Sequence, residues 1–152
     1  MLDKRKKITY IVLMNILLDA SAIMAIILNE PNRGEVVKLT KKAMILAPEV
    51  ISFEIGNALM NLVRRNKITG EELLAAYRNF TQIPLRTIKV DMEKALKIAC
   101  KYKIYAYDAY YLEVAYRLKL SLITFDEAMK KVGANLKINI LEENQNAGRE
   151  EV

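Results

Sequence analysis

The feature that most constrains the fold is the stretch from Ile16 to Glu30, whose only charge before that terminal glutamate is Asp19. Ahead of Asp19, Ile11 to Leu18 is short, rich in branched residues and almost wholly apolar, the pattern of a strand covered on both faces. Behind it, Ile23, Ile26 and Ile27 recur at helical spacing. Asp19 therefore stands where a core strand hands over to a core helix. An isolated ionised carboxylate in such a place costs several kcal/mol unless it finds a partner. The rest of the sequence has to supply that partner.

Absences narrow the chemistry. The chain has no histidine, which excludes Ser-His-Asp, Cys-His and His-pair ribonuclease mechanisms. A single cysteine, Cys100, excludes an internal disulfide and a zinc cluster. It lies in the helical pattern Ala95 to Tyr102 and reads as a small buried hydrophobe. Gly34, Gly56, Gly70, Gly133 and Gly148 form neither a dinucleotide fingerprint nor a phosphate loop. Any reaction must run on carboxylates, hydroxyls, amides, Lys, Arg or a metal. At 152 residues, 53% hydrophobic and 28% charged, the chain reads as one globular domain with a real core. Its formal charge of +6 favours an anionic partner, nucleic acid first.

The N-terminus admits two readings. Lys4 to Lys7, the apolar run to Leu18 and then Ala20-Ser21-Ala22 imitate a secretory signal, whose cleavage would remove Asp19. The apolar run is too short for a membrane span. Alternatively residues 1–13 are a basic and apolar extension joined to the first strand, residues 14–141 the functional domain, and 142–152 a polar tail.

Taken in order, the patterns predict strand 10–18, helix 20–28, a turn at Glu30 to Gly34, and a short helix from Glu35 to Lys42. A strand follows at Met44 to Pro48. The helix Glu49 to Asn66 comes next, with Ile51, Ile55, Ala58, Leu59, Leu62 and Val63 on one face. Thr69 and Glu72 form a capping box for a helix reaching about Phe80. Then come strand Leu85 to Val90, a helix capped by Asp91 and reaching Tyr102, and a helix Tyr107 to Leu118 buried through Tyr111, Leu112, Ala115 and Leu118. Strand Leu120 to Thr124, a short helix from Asp126 to Val132 and a fifth, edge strand Lys137 to Leu141 complete it. Strands alternating with helices predict an α/β class chain: a three-layer α/β/α sandwich around a mostly parallel sheet of four to five strands.

In such a sheet the carboxyl ends of the strands share one edge, where ligands bind. Asp19 follows the first strand and Asp126 the fourth, so both lie on that edge. Glu54 is in the opening turns of the helix after the second strand. Asp108 opens the helix that runs back to the start of the fourth strand. Singly, Asp108 and Asp126 are explained as helix caps. As a set, like charges this close repel and raise one another's pKa. A divalent cation resolves that conflict, and all-oxygen ligation points to Mg²⁺ or Mn²⁺ rather than zinc.

Leu17-Leu18-Asp19-Ala20-Ser21-Ala22, Phe53-Glu54-Ile55-Gly56-Asn57-Ala58-Leu59, Tyr107-Asp108-Ala109-Tyr110-Tyr111-Leu112 and Leu122-Ile123-Thr124-Phe125-Asp126 resemble, in order, the four motifs of the PIN-domain nucleases. Ala47-Pro48 before the second motif and Arg64 to Ile68 after it are similar to the VapC-type toxins of VapBC toxin–antitoxin pairs. The resemblance implies Mg²⁺- or Mn²⁺-dependent endonucleolytic hydrolysis of RNA in the cytoplasm, leaving a 5′-phosphate and a 3′-hydroxyl. It also implies a homodimer and a small antitoxin that blocks the acidic groove. Carried over, Asp19, Glu54, Asp108 and Asp126 are the catalytic, metal-binding tetrad. Asp19 and Asp108 would ligate directly, and Glu54 and Asp126 partly through coordinated water. Ser21 and Thr124 fall where the family places a supporting hydroxyl, and Asn57 where it places a supporting amide; local hydrogen bonding is the alternative for each. Residues 1–13 precede the family's usual start, and Phe125 replaces a commonly small residue. Because a signal reading would orphan three of the four acids, the domain reading is preferred.

An acidic site repels RNA, so binding needs cations around it. Lys41, Lys42, Arg64, Arg65, Lys67, Lys130 and Lys131 are the candidates, with solvated surface charge the alternative for each. Tyr105, Tyr107 and Tyr110 are candidates to stack on bases or to pack in a core or dimer. Haloacid-dehalogenase-like phosphatases also place Asp after the first strand but want Asp-x-Asp, and Ser21 occupies the second position. Response-regulator receivers need an early acidic pair absent here. A housekeeping RNA-processing nuclease and a non-catalytic RNA-binding module of the same fold are the remaining alternatives.

Overall fold

The computed structural model describes residues 13–143. The basic run Lys4 to Lys7, the expected strand positions 10–12 and tail residues 144–152 lie outside the described residues. Within them the elements are β1 (Met14–Leu18), α1 (Ala20–Ile27), α2 (Arg33–Thr40), β2 (Ala43–Pro48), α3 (Ile51–Arg64) and α4 (Gly70–Thr81). They continue with β3 (Leu85–Ile88), α5 (Met92–Tyr102), α6 (Ala106–Leu118), β4 (Ser121–Ile123) and α7 (Glu127–Asn135).

The four strands form one parallel sheet in the order β3-β2-β1-β4. Right-handed crossovers carry the chain outward from β1 to β3 with α1 to α4 on one face, then back across the other face with α5 and α6 to β4. Packing follows that path: α1 touches α2, α3 and α4, while α6 touches α5 and α7. This is the expected three-layer α/β/α arrangement. Paired on both sides and covered above and below, β1 buries Ile16, Leu17 and Leu18 completely. In α3 the buried stripe is Ile51, Ile55 and Leu59, one residue every helical turn. Near-continuous burial from Ala109 through Ala115 makes α6 the core helix of its layer.

Helix starts are fixed by side chains. Asp19, Asp91 and Asp126 cap α1, α5 and α7 by accepting from the backbone N–H groups of Ala22, Lys94 and Met129. The capping box at Thr69 and Glu72 forms as expected.

Four expectations need correction. The segment 137–141 is no strand, because β4 is only three residues long and offers a single bridge, Leu122 to Ile140. Cys100 is exposed, since α5 buries Ala95 and Ala99 and the next residue turns about 100° away. Leu118, in the last turn of α6, is 40% exposed rather than part of the buried stripe. Finally, α2 begins at Arg33, inside the expected turn. Among the described residues no helix is long and apolar enough to cross a membrane.

Candidate active site

Because the strands are parallel, their carboxyl ends share an edge, and the chain delivers four acids there from four segments. Asp19 directly follows β1, and Asp126 caps α7 just beyond β4. Glu54 and Asp108 sit in the first turns of α3 and α6.

Asp19 is 3% exposed and saturated with donors. Its Oδ1 accepts from Ser21 Oγ at 2.7 Å and Ala22 N at 2.9 Å, and its Oδ2 accepts from Thr124 Oγ1 at 2.5 Å. The same hydroxyls are acceptors in turn: Phe125 N donates to Ser21 Oγ and Asp126 N to Thr124 Oγ1, both at 3.0 Å. Two of these bonds, Thr124 to Asp19 and Phe125 to Ser21, stitch the β1–α1 junction to the β4–α7 junction. Ser21 and Thr124 are thus placed as supports of Asp19. Asn57 is exposed on α3, three residues after Glu54.

Glu54 accepts a 2.6 Å hydrogen bond from the hydroxyl of fully buried Tyr111. The sequence marks Tyr111 only as core. Its spacing of three from Asp108, which puts both on one side of α6, is the signal that could have found its polar end. Burial, then the charge of Glu54, raises the Tyr111 pKa, so it stays a protonated donor.

Electrostatics show the acids facing one another. Burial raises the pKa of Asp19 against the opposing hydrogen bonds, and Asp126 adds to the rise. Burial also raises Glu54, opposed by Tyr111 and reinforced by Asp19 and Asp108. Asp108 is pushed up to about 6 by burial first, then by Asp126 and Asp19. Among the described residues no lysine or arginine pairs with any of the four.

The donor set is all oxygen and its charge is unanswered, which is the chemistry a hard divalent cation fits. The side chains of Asp19, Glu54 and Asp126 are turned to hydroxyl and amide donors, and among the described residues no three carboxylates are already gathered around one ion position. The fit is therefore one of donor type and charge, not of a preformed cage.

The candidate cations are not brought to this edge together. Lys41 and Lys42 precede β2 and so stand at the opposite, amino edge. Arg64, Arg65 and Lys67 close α3, which starts at the acidic edge and runs 14 residues, about 21 Å, away from it. Lys130 is engaged by Glu127 at 3.1 Å and Glu142 at 2.6 Å. Lys131 is exposed on α7. Tyr105 and Tyr107 are exposed near Asp108, and Tyr107 meets Tyr110 edge to face at 5.5 Å.

A family model described as PIN domain matches residues 16–135, from within β1 to the last residue of α7. The chain belongs to the PIN domain family. Among solved structures, this PIN domain is similar to PAE2754 from Pyrobaculum aerophilum, at 23% identity and TM-score 0.62, over 78% of this chain and 79% of that one. It is similar to VapBC2 from Rickettsia felis, bound to a DNA fragment from their promoter, at 13% identity and TM-score 0.57, over 84% and 98% of the chains. It is also similar to VapC20 of Mycobacterium tuberculosis, a sarcin-ricin loop cleaving toxin, at 14% identity and TM-score 0.60, over 84% and 99%. At such identities the likeness establishes the shared fold. No curated protein sequence matches significantly. The four acidic motifs all fall within the matched PIN region, Asp19 three residues after its start and Asp126 nine before its end.

Proposed function

We propose that this PIN domain is a divalent-metal-dependent endoribonuclease and the toxin of a two-protein toxin–antitoxin pair. One observation carries the catalytic part: four carboxylates from four segments face one another at the strand carboxyl ends, and among the described residues no lysine or arginine pairs with them. Asp19, Glu54, Asp108 and Asp126 would hold Mg²⁺ or Mn²⁺. Such an ion supplies charge neutralisation at the scissile phosphate and a water acidified for attack.

The chain's own residues prepare that role. Ser21, Thr124 and the Ala22 amide hold Asp19 rigid and ionisable against its burial. Tyr111 holds Glu54 by donating to one oxygen and leaves the other open. Asp108, half-buried and pushed up to about 6, is an acid that an arriving positive charge would favour in its ionised form. The toxin role is supported by the VapC-like motifs and by a fold shared with a sarcin-ricin loop cleaving toxin. With it go an antitoxin partner, a homodimer and a cytoplasmic location.

A fluorogenic RNA assay with Mg²⁺ or Mn²⁺, and again with EDTA, tests the enzyme. Cation-dependent cleavage that Asp108→Asn abolishes is expected; no cleavage with either ion overturns the catalytic reading. Co-expression with the neighbouring small reading frame tests the toxin role: a stable complex with inhibited cleavage is expected, and free, uninhibited protein contradicts it.

A further inference from the structure

Charge is sorted between the two edges of the sheet. The acids occupy the carboxyl edge, whereas at the amino edge cations precede β2, β4 and the segment bridging to β4. Lys41 and Lys42 precede β2, Lys119 lies two residues before β4, and Lys137 precedes the segment that bridges to β4. The parallel registers put these positions at nearly one level: Met14 stands opposite Ala43, Ile16 opposite Ser121, and Leu122 bridges to Ile140. Across three strand spacings of about 4.8 Å the row runs roughly 15 Å. All four lysines are exposed, and among the described residues none pairs with an acid.

Lys41 and Lys119 are also the C-caps of α2 and α6, where a helix end favours a cation. Lys137 likewise follows the C-cap of α7, so a helix end accounts for each singly, but not for Lys137 and Lys119 lining one open cleft of about 590 Å³. Tyr116, 58% exposed, lines the same cleft with Leu120 and Ile138. Cations flanking an exposed ring over an apolar floor suit a nucleobase with its phosphates.

We propose that this amino edge is a second RNA-binding surface. It grips the phosphate backbone of the substrate about one strand length from the cut, with Tyr116 stacking on an unpaired base. The proposal rests on the ribonuclease reading above. It accounts for a cation-poor active site in a chain of charge +6: affinity is supplied at one edge and chemistry at the other.

The test measures binding of fluorescein-labelled RNA by the full chain in EDTA, where cleavage is silent, across a salt series. An RNA of about 25 nucleotides can reach both edges and one of about four cannot, so the longer binds at least tenfold tighter at low salt. Replacing Lys41, Lys42, Lys119 and Lys137 with Gln removes that advantage and lowers the log–log salt slope by about 3, at about 0.7 per phosphate contact. Tyr116→Leu weakens the long RNA severalfold with the slope unchanged. Cleavage of the short RNA at saturation keeps its kcat in both variants. An unchanged slope overturns the proposal, as does an equal loss per charge in the Lys94→Gln, Lys97→Gln control on α5. Tighter binding of a DNA duplex through the same lysines overturns the assignment to RNA. If no RNA is cleaved with either cation, the catalytic reading fails, while the binding arm still reports on these lysines.

Discussion

Two buried carboxylates in this PIN domain meet opposite fates. Glu113, 1% exposed in the middle of α6, has a cation of its own chain. Arg117, one turn on, donates from Nε at 2.5 Å and from a second nitrogen at 3.2 Å, and the Asp91 amide completes the set at 3.2 Å. The same guanidinium reaches the Lys89 carbonyl at 2.8 Å, tying the end of β3 to α6. Asp19 is nearly as buried, yet its partners are two hydroxyls and an amide, and its charged neighbours are other acids. A carboxylate that serves architecture is neutralised from within. The acids at the sheet edge are left for something from outside to neutralise.

The comparison breaks most sharply under substitution. Asp19→Asn and Asp108→Asn should each lower cation-dependent RNA cleavage by on the order of 10³, while the metal-free protein melts no lower than wild type. Melting well below wild type with cleavage intact would make the edge acids structural like Glu113. Arg117→Leu should do the reverse. It strands a buried charge and costs about 2–4 kcal/mol in urea unfolding, while cleavage per folded molecule persists. Converting Glu113 to Leu as well should recover most of that loss.

Acidity separates the two regions next. The folded pKa of Asp108, about 6, lies above its ordinary 3.8, so the folded state holds this proton more tightly than the unfolded chain. The contribution of this group to the stability of the metal-free protein should therefore be greatest below about pH 4, fall as pH rises through 6 and level off beyond. The difference between wild type and Asp108→Asn in urea unfolding isolates this group, and a difference that is flat across that interval contradicts it. Saturating Mg²⁺ should flatten the wild-type curve. The smallest effect is expected of Tyr111→Phe, which removes one hydrogen bond to Glu54. It should cost about 1 kcal/mol of stability and several-fold in cleavage; unaltered cleavage would show that Glu54 needs no such anchor.

Much of this was legible in the sequence. Apolar periodicity reports which way a segment faces, and parallel topology then carries Asp19, Glu54, Asp108 and Asp126 to one edge without a coordinate. The capping box at Thr69 and the cap at Asp91 were equally readable, being local chemistry. What escaped depends on three-dimensional direction. Lys41 and Lys42 lie at the wrong edge, and Arg64 and Arg65 at the far end of α3, because proximity in sequence to a motif says nothing about which way the element then travels. The pairing of Glu113 with Arg117 went unread, because it depends on the Arg117 side chain folding back over a buried position. The fifth strand stops at a single bridge because its partner, β4, is only three residues long, a property of the neighbour and not of residues 137–141.

The bonds around Asp19 join positions 104 and 105 residues apart, since the last strand of the sheet lies beside the first. A nascent chain therefore cannot finish this corner until residues 121–126 have left the ribosome and docked. Every shorter product of stalled or aborted synthesis carries Asp19 without Thr124 and Asp126. Under the ribonuclease reading, such fragments lack the completed acidic edge, by chain topology alone.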